Sequence, residues 1–282
     1  MVKNKKNKIS MDEKEKFVII IPTWNSMPEI QECIDSIVKS IPVEHIHDMI
    51  LIDRYSTDDT KRYAEKNGFT VIIDDVGLGN ARYIGNIYAN DHPIIFIDSD
   101  IVIDDIWYKS MVKVWNEHKD IGMLFGRTID RGIYGKIKRD KLERDFRHIS
   151  LKDLQKGDRG YTHNTFIRGG LLDGINGLSE LDAWEDWFIT QHIFSKGYRV
   201  VETTYTVEHI HDDIYGAKLA WCIRGMIKTR QPIYRIVAHH IYYLFEGFRS
   251  CVCNNNPEFL KWGIANFLNG FKGYFYRQFR RD

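Results

Sequence analysis

Two aspartates separated by one residue are the strongest chemical signal in this 282-residue sequence. Asp98, Ser99 and Asp100 follow the apolar run Ile94–Ile97, which is typical of a strand buried on both faces. Two carboxylates at the end of such a strand can bind one hard cation, directly or through water. Mg²⁺ and Mn²⁺ prefer oxygen ligands and bridge diphosphate oxygens. The pattern therefore predicts a site for Mg²⁺ or Mn²⁺, and a solvated loop is the simpler alternative.

A second acidic pair, Glu185 and Asp186, lies between Trp184 and Trp187. Indole rings that partly shield a carboxylate from water raise its pKa, which suits it to take a proton from a hydroxyl group. Asp186 is the predicted general base, and Glu185 is a supporting residue or the base itself. The simpler alternative is a helix start, because acids in a first helical turn interact favourably with the helix dipole.

Strands and helices alternate over the first third of the chain, which predicts a mostly parallel α/β sheet. Predicted strands cover residues 17–21, 49–52, 69–73 and 94–97, and predicted helices follow Pro28, Ser56 and Gly79. Ligands of open α/β sheets bind beyond the carboxyl ends of the strands. Asp53 and Asp98 both lie at such ends.

The middle of the chain is less regular. Residues 126–160 are rich in charge and weak in periodicity, which predicts a loop with short helices. Residues 161–167 are expected to return to the sheet, and residues 198–201 to form a further strand. Asp182 with Glu185 three residues later matches a capping box, so a helix is predicted to begin near Ala183.

The predicted organisation has three parts: a basic disordered tail at residues 1–16, an α/β domain at 17–213 and an amphipathic helical extension at 214–282. In the extension, apolar residues recur at helical spacing, and basic residues far outnumber Glu246, Glu258 and Asp282. Aromatic rings mixed with Lys and Arg over residues 261–281 suit an anionic membrane surface. Packing on the α/β domain or a homodimer interface would use the same residue types.

Composition excludes several classes of protein. A formal net charge of +1 provides no general attraction for nucleic acid. No window approaches the roughly 18 apolar residues of a membrane span, and the early lysines are not followed by the apolar stretch of a signal peptide. The four cysteines form neither a CxxC motif nor a zinc site. We therefore expect reduced thiols in a cytoplasmic protein, with peripheral contact at the inner face of the cell membrane.

Five motifs, in this order and spacing, resemble glycosyltransferase family 2. They are Ile21-Pro22-Thr23-Trp24-Asn25, Ile52-Asp53-Arg54-Tyr55-Ser56-Thr57-Asp58, Gly79-Asn80-Ala81-Arg82-Tyr83-Ile84-Gly85, Asp98-Ser99-Asp100 and Trp184-Glu185-Asp186-Trp187. The resemblance covers about residues 17–213 and implies a GT-A, Rossmann-like domain with a helical C-terminal extension. It also implies inverting transfer of a sugar from a nucleotide-diphospho-sugar, UDP- or GDP-linked, to a hydroxyl or lipid phosphate of a glycan or lipid-linked acceptor.

The same resemblance implies roles for individual residues. The residues that would bind the donor are Pro22, Thr23, Asn25, Asp53, Arg82, Asp98 and Ser99. The metal would be bound by Asp98 and Asp100, together with His209 or His211. Asp186, with Glu185, would accept the proton of the acceptor. Surface histidines are the alternative for the His209 and His211 pair. Arg54 departs from the family, which often has a second acid there, but Asp53 remains available. Arg168-Gly169-Gly170 is expected on the acceptor side.

Two other functions are compatible with an α/β sheet of this kind. A sugar-phosphate nucleotidyltransferase would carry an early Gly-rich loop with a basic residue, and this chain has Pro22-Thr23-Trp24-Asn25 there instead. A non-catalytic carbohydrate-binding or assembly protein would not need Asp98, Asp100 and Asp186. The sequence does not specify the sugar, the base or the acceptor.

Overall fold

A computed structural model describes residues 15–131, 150–210 and 219–275. The strands in these residues are β1 (Phe17–Thr23), β2 (Ile46–Asp53), β3 (Thr70–Ile73), β4 (Ile94–Ile97), β5 (Ile101–Val102), β6 (Ile121–Asp130), β7 (Leu151–Asp153), β8 (Asn164–Ile167) and β9 (Arg199–His209). The α-helices are α1 (Glu29–Ser40), α2 (Thr60–Lys66), α3 (Leu78–Ala89), α4 (Asp105–Glu117), α5 (Glu185–Ser195), α6 (Leu219–Lys228), α7 (Ile233–Asn254) and α8 (Glu258–Phe275). The predicted tail, residues 132–149 and His211 fall almost entirely outside these ranges.

The strands form one sheet in the order β3-β2-β1-β4-β8-β6-β9-β5, with β7 also paired to β9. The first four strands in this order are parallel, as predicted, because each is joined to the next along the chain by a helix. Strand β8 runs antiparallel between β4 and β6. The parallel half therefore brings the carboxyl ends of β1 to β4 to one edge, where ligands of such sheets bind.

Strand β1 shows how the sheet is held between two apolar layers. Successive side chains of a strand point to opposite faces. Ile19 and Ile21 pack with α1 and α4 on one face, whereas Val18 and Ile20 pack on the other face in the cluster that contains residues of α3 and α5. All seven residues of β1 are buried. This explains the uninterrupted apolar run in the sequence and fixes the position of the loop that follows it.

The prediction of a loop with short helices over residues 126–160 is wrong for residues 126–130 and 151–153, which form strands. Strand β6 continues to Asp130 because residues 127–130 pair with β9. Charge in this segment does not oppose a strand, since Arg127 Nε donates to Glu202 Oε1 on the neighbouring strand at 3.0 Å. Charged residues that pair across strands interrupt the apolar alternation by which a strand is predicted from sequence, so this strand was missed.

A helix is present near Ala183, as predicted, but the prediction that Asp182 caps it is wrong. The Asp182 carboxylate is bound by Arg224 at 2.8 Å and by Lys228 at 3.1 Å, both on α6. Trp184 precedes α5 in a left-handed conformation with φ of 63°. Helix α5 therefore begins at Glu185, which brings both acids of the predicted catalytic pair into its first turn.

Helices α6, α7 and α8 form the C-terminal extension that the sequence predicts. Helices α7 and α8 approach so closely that a Cβ on Gly247 would lie 2.6 Å from the Cα of Gly263. Helix α6 and the start of α7 pack on Ala183 and Trp184 of the α/β part through Leu219, Ile223, Met226 and Ile236. Over the ranges described, no helix combines the length and apolarity needed to cross a membrane.

Candidate active site

A cleft of about 370 Å³ opens at the carboxyl ends of β1 to β4. Its size lies within the range of small-molecule sites, about 300–1,000 Å³. Of the predicted donor-site residues, Pro22, Thr23, Asp98 and Ser99 line it, together with the predicted metal ligand Asp100. The remaining lining residues are Trp24, Ser26, Ile52, Arg54, Asp74, Gly77, Leu78 and Ala81.

Asp53 and Asn25 brace the loops beside the cleft and are not among its lining residues. Asp53 is fully buried, and its Oδ2 accepts a hydrogen bond from the Ser56 backbone at 2.8 Å. Its Oδ1 is buried without a hydrogen-bond partner within the described structure. Asn25 Oδ1 accepts from the Thr57 backbone at 2.7 Å, which ties the loop after β1 to the loop after β2.

Arg82 is buried beneath the cleft, where it forms an ion pair with Asp98. The arginine side chain has no exposed surface, whereas the Asp98 side chain is 36% exposed. The guanidinium also lies 4.7 Å from the centre of the Phe96 ring, a cation–π contact. Helix α3 thus presents a permanent positive charge to the carboxylate that follows β4.

Asp100 and His209 meet on the other side of the Asp98-Ser99-Asp100 turn. Asp100 Oδ2 and His209 Nε2 are 3.0 Å apart, because β5 pairs with the end of β9 and sets Ile101 opposite His209. Neighbouring ligands of an octahedral ion at about 2.1 Å lie roughly 3 Å apart. This separation therefore fits two ligands of one Mg²⁺ or Mn²⁺ ion.

No group of three His, Cys, Asp or Glu side chains converges on one metal position in residues 15–131, 150–210 and 219–275. This agrees with the way Mg²⁺ is usually bound in proteins, by one or two carboxylates plus substrate phosphates and water. His211, the alternative histidine, lies outside the described residues. The donor set therefore fits a metal that is completed by a diphosphate.

The acidic pair at the start of α5 is almost completely buried, with Glu185 4% and Asp186 5% exposed. Burial and, to a smaller extent, the nearby charge of Asp186 raise the pKa of Glu185 to about 8, against the opposing charges of Arg82 and Arg159. Asp186 accepts hydrogen bonds from Arg159 Nε at 2.9 Å to each of its oxygens. The two acids of one motif thus have different partners.

Three residues of the site were not found by sequence reasoning. Asp74, at the end of β3, accepts from the backbone of Val76 at 2.9 Å and of Gly77 at 3.2 Å, and so shapes the turn before α3. Its place after a predicted strand was the available signal. Trp24 lies at the cleft with Arg54, whose guanidinium carbon is 5.9 Å from the indole centre. Arg159 had no sequence signal, because its partner is 27 residues away.

Arg168, expected on the acceptor side, packs instead on the end of α4. Its Nη2 donates to the carbonyl oxygens of Trp115 at 3.2 Å and His118 at 3.0 Å. The guanidinium carbon lies 4.1 Å from the centre of the Trp115 ring. These contacts indicate that Arg168 stabilises the packing of α4.

The chain is similar to known proteins in sequence. The family model described as glycosyl transferase family 2 matches residues 18–173. Minor teichoic acid biosynthesis protein GgaB of Bacillus subtilis (strain 168) is 27% identical over 249 residues, which is 79% of this chain and 27% of that protein. Poly(ribitol-phosphate) beta-N-acetylglucosaminyltransferase TarS of Staphylococcus aureus is 28% identical over 110 residues, 36% of this chain and 19% of that protein. The chain thus spans about a quarter or less of these relatives.

Solved structures resemble the fold over most of its length. The mannosyltransferase PcManGT from Pyrobaculum calidifontis, in complex with GDP-Man and Mn²⁺, has a TM-score of 0.63 at 15% identity and covers 93% of this chain and 88% of its own. Residues 1–349 of S. aureus TarS, in complex with UDP, have a TM-score of 0.53 at 16% identity. The match covers 94% of this chain and 93% of the TarS chain. At these identities the likeness concerns the fold, which is of the GT-A type.

Proposed function

This chain belongs to glycosyl transferase family 2, and on that premise we propose that it transfers a sugar, with inversion, from a nucleotide-diphospho-sugar to an acceptor hydroxyl or lipid phosphate. One observation carries the proposal: Asp98, Ser99 and Asp100 lie in a cleft at the carboxyl ends of four parallel strands, with a buried arginine behind them. The related proteins named above act in teichoic acid biosynthesis or on poly(ribitol-phosphate), which supports a polymer or glycolipid pathway.

The donor would lie across the cleft, with its diphosphate near the turn after β4 and its base near the loop after β1. A UDP- or GDP-linked sugar fits this arrangement, and Trp24 and Arg54 offer a flat aromatic and cationic surface for a base. Arg82 holds Asp98 in position from below. Asp100 and His209 would hold Mg²⁺ or Mn²⁺, which supplies positive charge to the departing nucleoside diphosphate.

Asp186 is the proposed general base. Inversion requires one displacement, in which the acceptor oxygen attacks the anomeric carbon as its proton moves to a carboxylate. Asp186 lies in the first turn of α5 and is paired with Arg159. Glu185, whose pKa is raised to about 8, is mainly protonated at neutral pH and is then not free to accept a proton.

The test is release of nucleoside diphosphate from UDP-, GDP- and dTDP-sugars with Mn²⁺, Mg²⁺ or EDTA. We expect turnover with one donor class and its loss in EDTA. Asp100→Ala should abolish metal-stimulated turnover, whereas Asp105→Ala removes an exposed carboxylate paired with Lys109 at 2.6 Å and serves as the matched control. Full activity in EDTA, or in Asp100→Ala, would contradict the metal assignment.

We further propose that the C-terminal helices dock on an anionic membrane surface. Six residues of α7 form a continuous exposed stripe, here called the apolar helix face: Tyr234, Val237, Ile241, Phe245, Phe248 and Val252, which are between 39% and 67% exposed. Their spacing of three and four residues places them on one side of the helix. Contiguous apolar surface of this kind usually marks an interaction site.

Charge favours a membrane over a second copy of the chain. The basic residues from Tyr215 onward number eleven, against three acidic ones: Lys218, Arg224, Lys228, Arg230, Arg235, Arg249, Lys261, Lys272, Arg277, Arg280 and Arg281. Two such segments would repel each other across a dimer interface, whereas anionic lipid attracts each Lys or Arg near its surface by about 1 kcal/mol.

Vesicle co-sedimentation tests the membrane proposal. Phe245→Glu with Phe248→Glu should abolish sedimentation with phosphatidylglycerol vesicles, and rising salt should release the unmodified chain because surface charges are screened over about 10 Å at 0.1 M. Val43→Glu, at a position 80% exposed and far along the chain, is the control. Equal sedimentation of all three proteins would remove the membrane role. Loss of self-association instead of lipid binding would favour the homodimer.

A further inference from the structure

Arg159 holds the proposed base, Asp186, in an ion pair. Asp186 Oδ1 accepts from Arg159 Nε at 2.9 Å and from the Trp187 backbone at 2.7 Å. Oδ2 accepts from the same Nε–H at 2.9 Å and lies 2.8 Å from Arg159 Nη2, with which it forms an ion pair. The Nε–H is one hydrogen shared by both oxygens, so these contacts do not fill every lone-pair site of the carboxylate. A proton taken up by Asp186 would, however, break its ion pair with Arg159, so Asp186 is better placed to act as the base once Arg159 has moved.

Moving Arg159 requires another anion to take the place of Asp186. Burial alone would lower the pKa of Arg159, and the charge of Asp186 more than offsets this, so the pKa is raised and the guanidinium stays charged. A buried charge that loses its partner costs several kcal/mol unless it finds a new one. The acceptor must therefore bring a group that binds a guanidinium, and phosphate matches its planar fork well.

The Arg159 side chain is partly exposed to solvent and contacts two aromatic rings. The side chain is 28% exposed, and its guanidinium carbon lies 4.8 Å from the centre of the Trp184 ring and 5.4 Å from that of Tyr161. Stacking on these rings is compatible with more than one orientation of the guanidinium. Tyr161 itself is 43% exposed and forms part of the open side of this cluster.

The backbone that carries Arg159 is fixed, so any movement is confined to the side chain. Gly157 N donates to Gln191 Oε1 at 2.9 Å, and Gly160 N donates to Thr190 Oγ1 at 3.1 Å, which fastens residues 157–160 to α5 at both ends. Arg235 Nη1 of α7 donates to the Gly157 carbonyl at 3.2 Å. A second guanidinium therefore reaches the same loop.

Among the described residues of this cluster, the positive charge is carried by arginine. Burial and the charge of Arg159 lower the pKa of His239 to about 4, so this histidine is neutral at physiological pH. Its ring lies 6.2 Å from that of Trp184. The cluster of Arg159, Tyr161, Trp184, Arg235 and His239 thus combines apolar walls with one or two guanidinium groups, as a site for an anionic ligand requires.

We propose that Arg159 binds a phosphate group of the acceptor and that this contact releases Asp186 to act as the base. The inference rests on the proposed glycosyl transfer and adds to it the chemical class of the acceptor, a phosphate-bearing polyol or lipid. A neutral hydroxyl compound cannot draw Arg159 away and is a poor acceptor. No covalent bond changes in this step: one ion pair is exchanged for another.

The experiment compares sn-glycerol 3-phosphate with glycerol in two assays. Calorimetric titration, with UDP, GDP and Mg²⁺ present to fill the donor side, measures binding. Sugar transfer from the active donor measures kcat/KM for each acceptor. The variants are Arg159→Gln and Arg159→Lys, and the matched control is Arg199→Gln, whose arginine pairs with Asp153 and Asp120 on the surface.

We expect the chain to prefer the phosphate compound in both assays. Arg159→Gln should reduce the ratio of kcat/KM for sn-glycerol 3-phosphate to that for glycerol by about ten- to a hundredfold, as expected for loss of a charged hydrogen bond. Arg159→Lys should restore part of this ratio. The control variant Arg199→Gln should leave the ratio unchanged. Equal loss towards both acceptors would overturn the proposal and leave Arg159 as a positioning residue for Asp186. Equal binding of the phosphate compound by the unmodified chain and Arg159→Gln would also overturn it. If no donor is turned over, the proposed function fails separately, and the binding assay still decides the role of Arg159.

Discussion

Removing Asp98 should destabilise the fold more than removing Arg82, although the two side chains form one ion pair. The Arg82 side chain has no exposed surface, whereas that of Asp98 is 36% exposed. In Asp98→Ala the guanidinium stays buried without its partner. In Arg82→Met the remaining carboxylate faces the cleft and can be hydrated, while methionine keeps most of the volume and the contact with Phe96.

The burial of each partner sets the size of the effect. Leaving a buried charge unpaired costs about 3–5 kcal/mol, so Asp98→Ala should lower the free energy of unfolding by that amount. In Arg82→Met the carboxylate left behind can be hydrated, so the cost should be only the net worth of the lost hydrogen bond, about 0.5–1.5 kcal/mol. Arg82 also favours the ionised form of Glu185, which offsets part of the first cost at alkaline pH. The double variant removes both charges and should be more stable than Asp98→Ala alone.

Urea unfolding at pH 7 in EDTA measures these differences. With an m-value of about 3 kcal/mol per molar, Asp98→Ala should lower the midpoint by roughly 1–1.7 M. The decisive result is the sign in the double variant, because adding Arg82→Met to Asp98→Ala is expected to raise the midpoint. If the double variant is instead as unstable as the sum of the single ones, the buried arginine does not depend on Asp98 and the reasoning is refuted.

Two further predictions concern the acids of α5. Asp186→Asn should keep donor affinity, measured by titration, and lose about 10²–10⁴-fold in transfer rate; a normal rate together with an inactive Glu185→Gln would exchange their roles. Between the ordinary pKa of 4.5 for Glu185 and its folded value of about 8, the folded state holds a proton that the unfolded chain releases. Stability should therefore fall as pH rises through this window, by at most about 1.4 kcal/mol per pH unit, and Glu185→Gln should remove the dependence in pH-dependent unfolding.

Much of the α/β half could be predicted because its strands are buried on both faces. Uninterrupted apolar runs such as residues 17–21 and Ile94–Ile97 identify a strand without any knowledge of its neighbours. The ends of these strands then gave the position of the metal motif. The membership in glycosyl transferase family 2 and the GT-A fold, both inferred from motif order, are confirmed by the comparisons.

The rest depended on contacts between residues distant in sequence. Strand β6 carries charges that only a cross-strand partner explains, as Arg127 and Glu202 show. Asp182 matched a helix cap, but two cations on α6 bind it in the folded chain. A sequence pattern shows only which nearby backbone groups a side chain could bind. The partners that these side chains bind in the folded chain lie 42 or more residues away, so the pattern could not identify them. The assigned roles of Asp186, His209 and the other site residues remain predictions.

The two carboxylates proposed to act at the reaction centre are each held by an arginine, but under different constraints. Arg82 has no exposed surface and is fixed over Phe96, so the donor side is preorganised before any ligand arrives. Arg159 is 28% exposed and stacks on aromatic rings beside the open edge of the site. A fixed charge lowers the barrier to sugar transfer because it does not have to reorient during the reaction. The fixed pair of Arg82 and Asp98 therefore suits the side of the departing diphosphate. The second pair can exchange partners, and therefore suits the side on which an acceptor must both bind and be deprotonated.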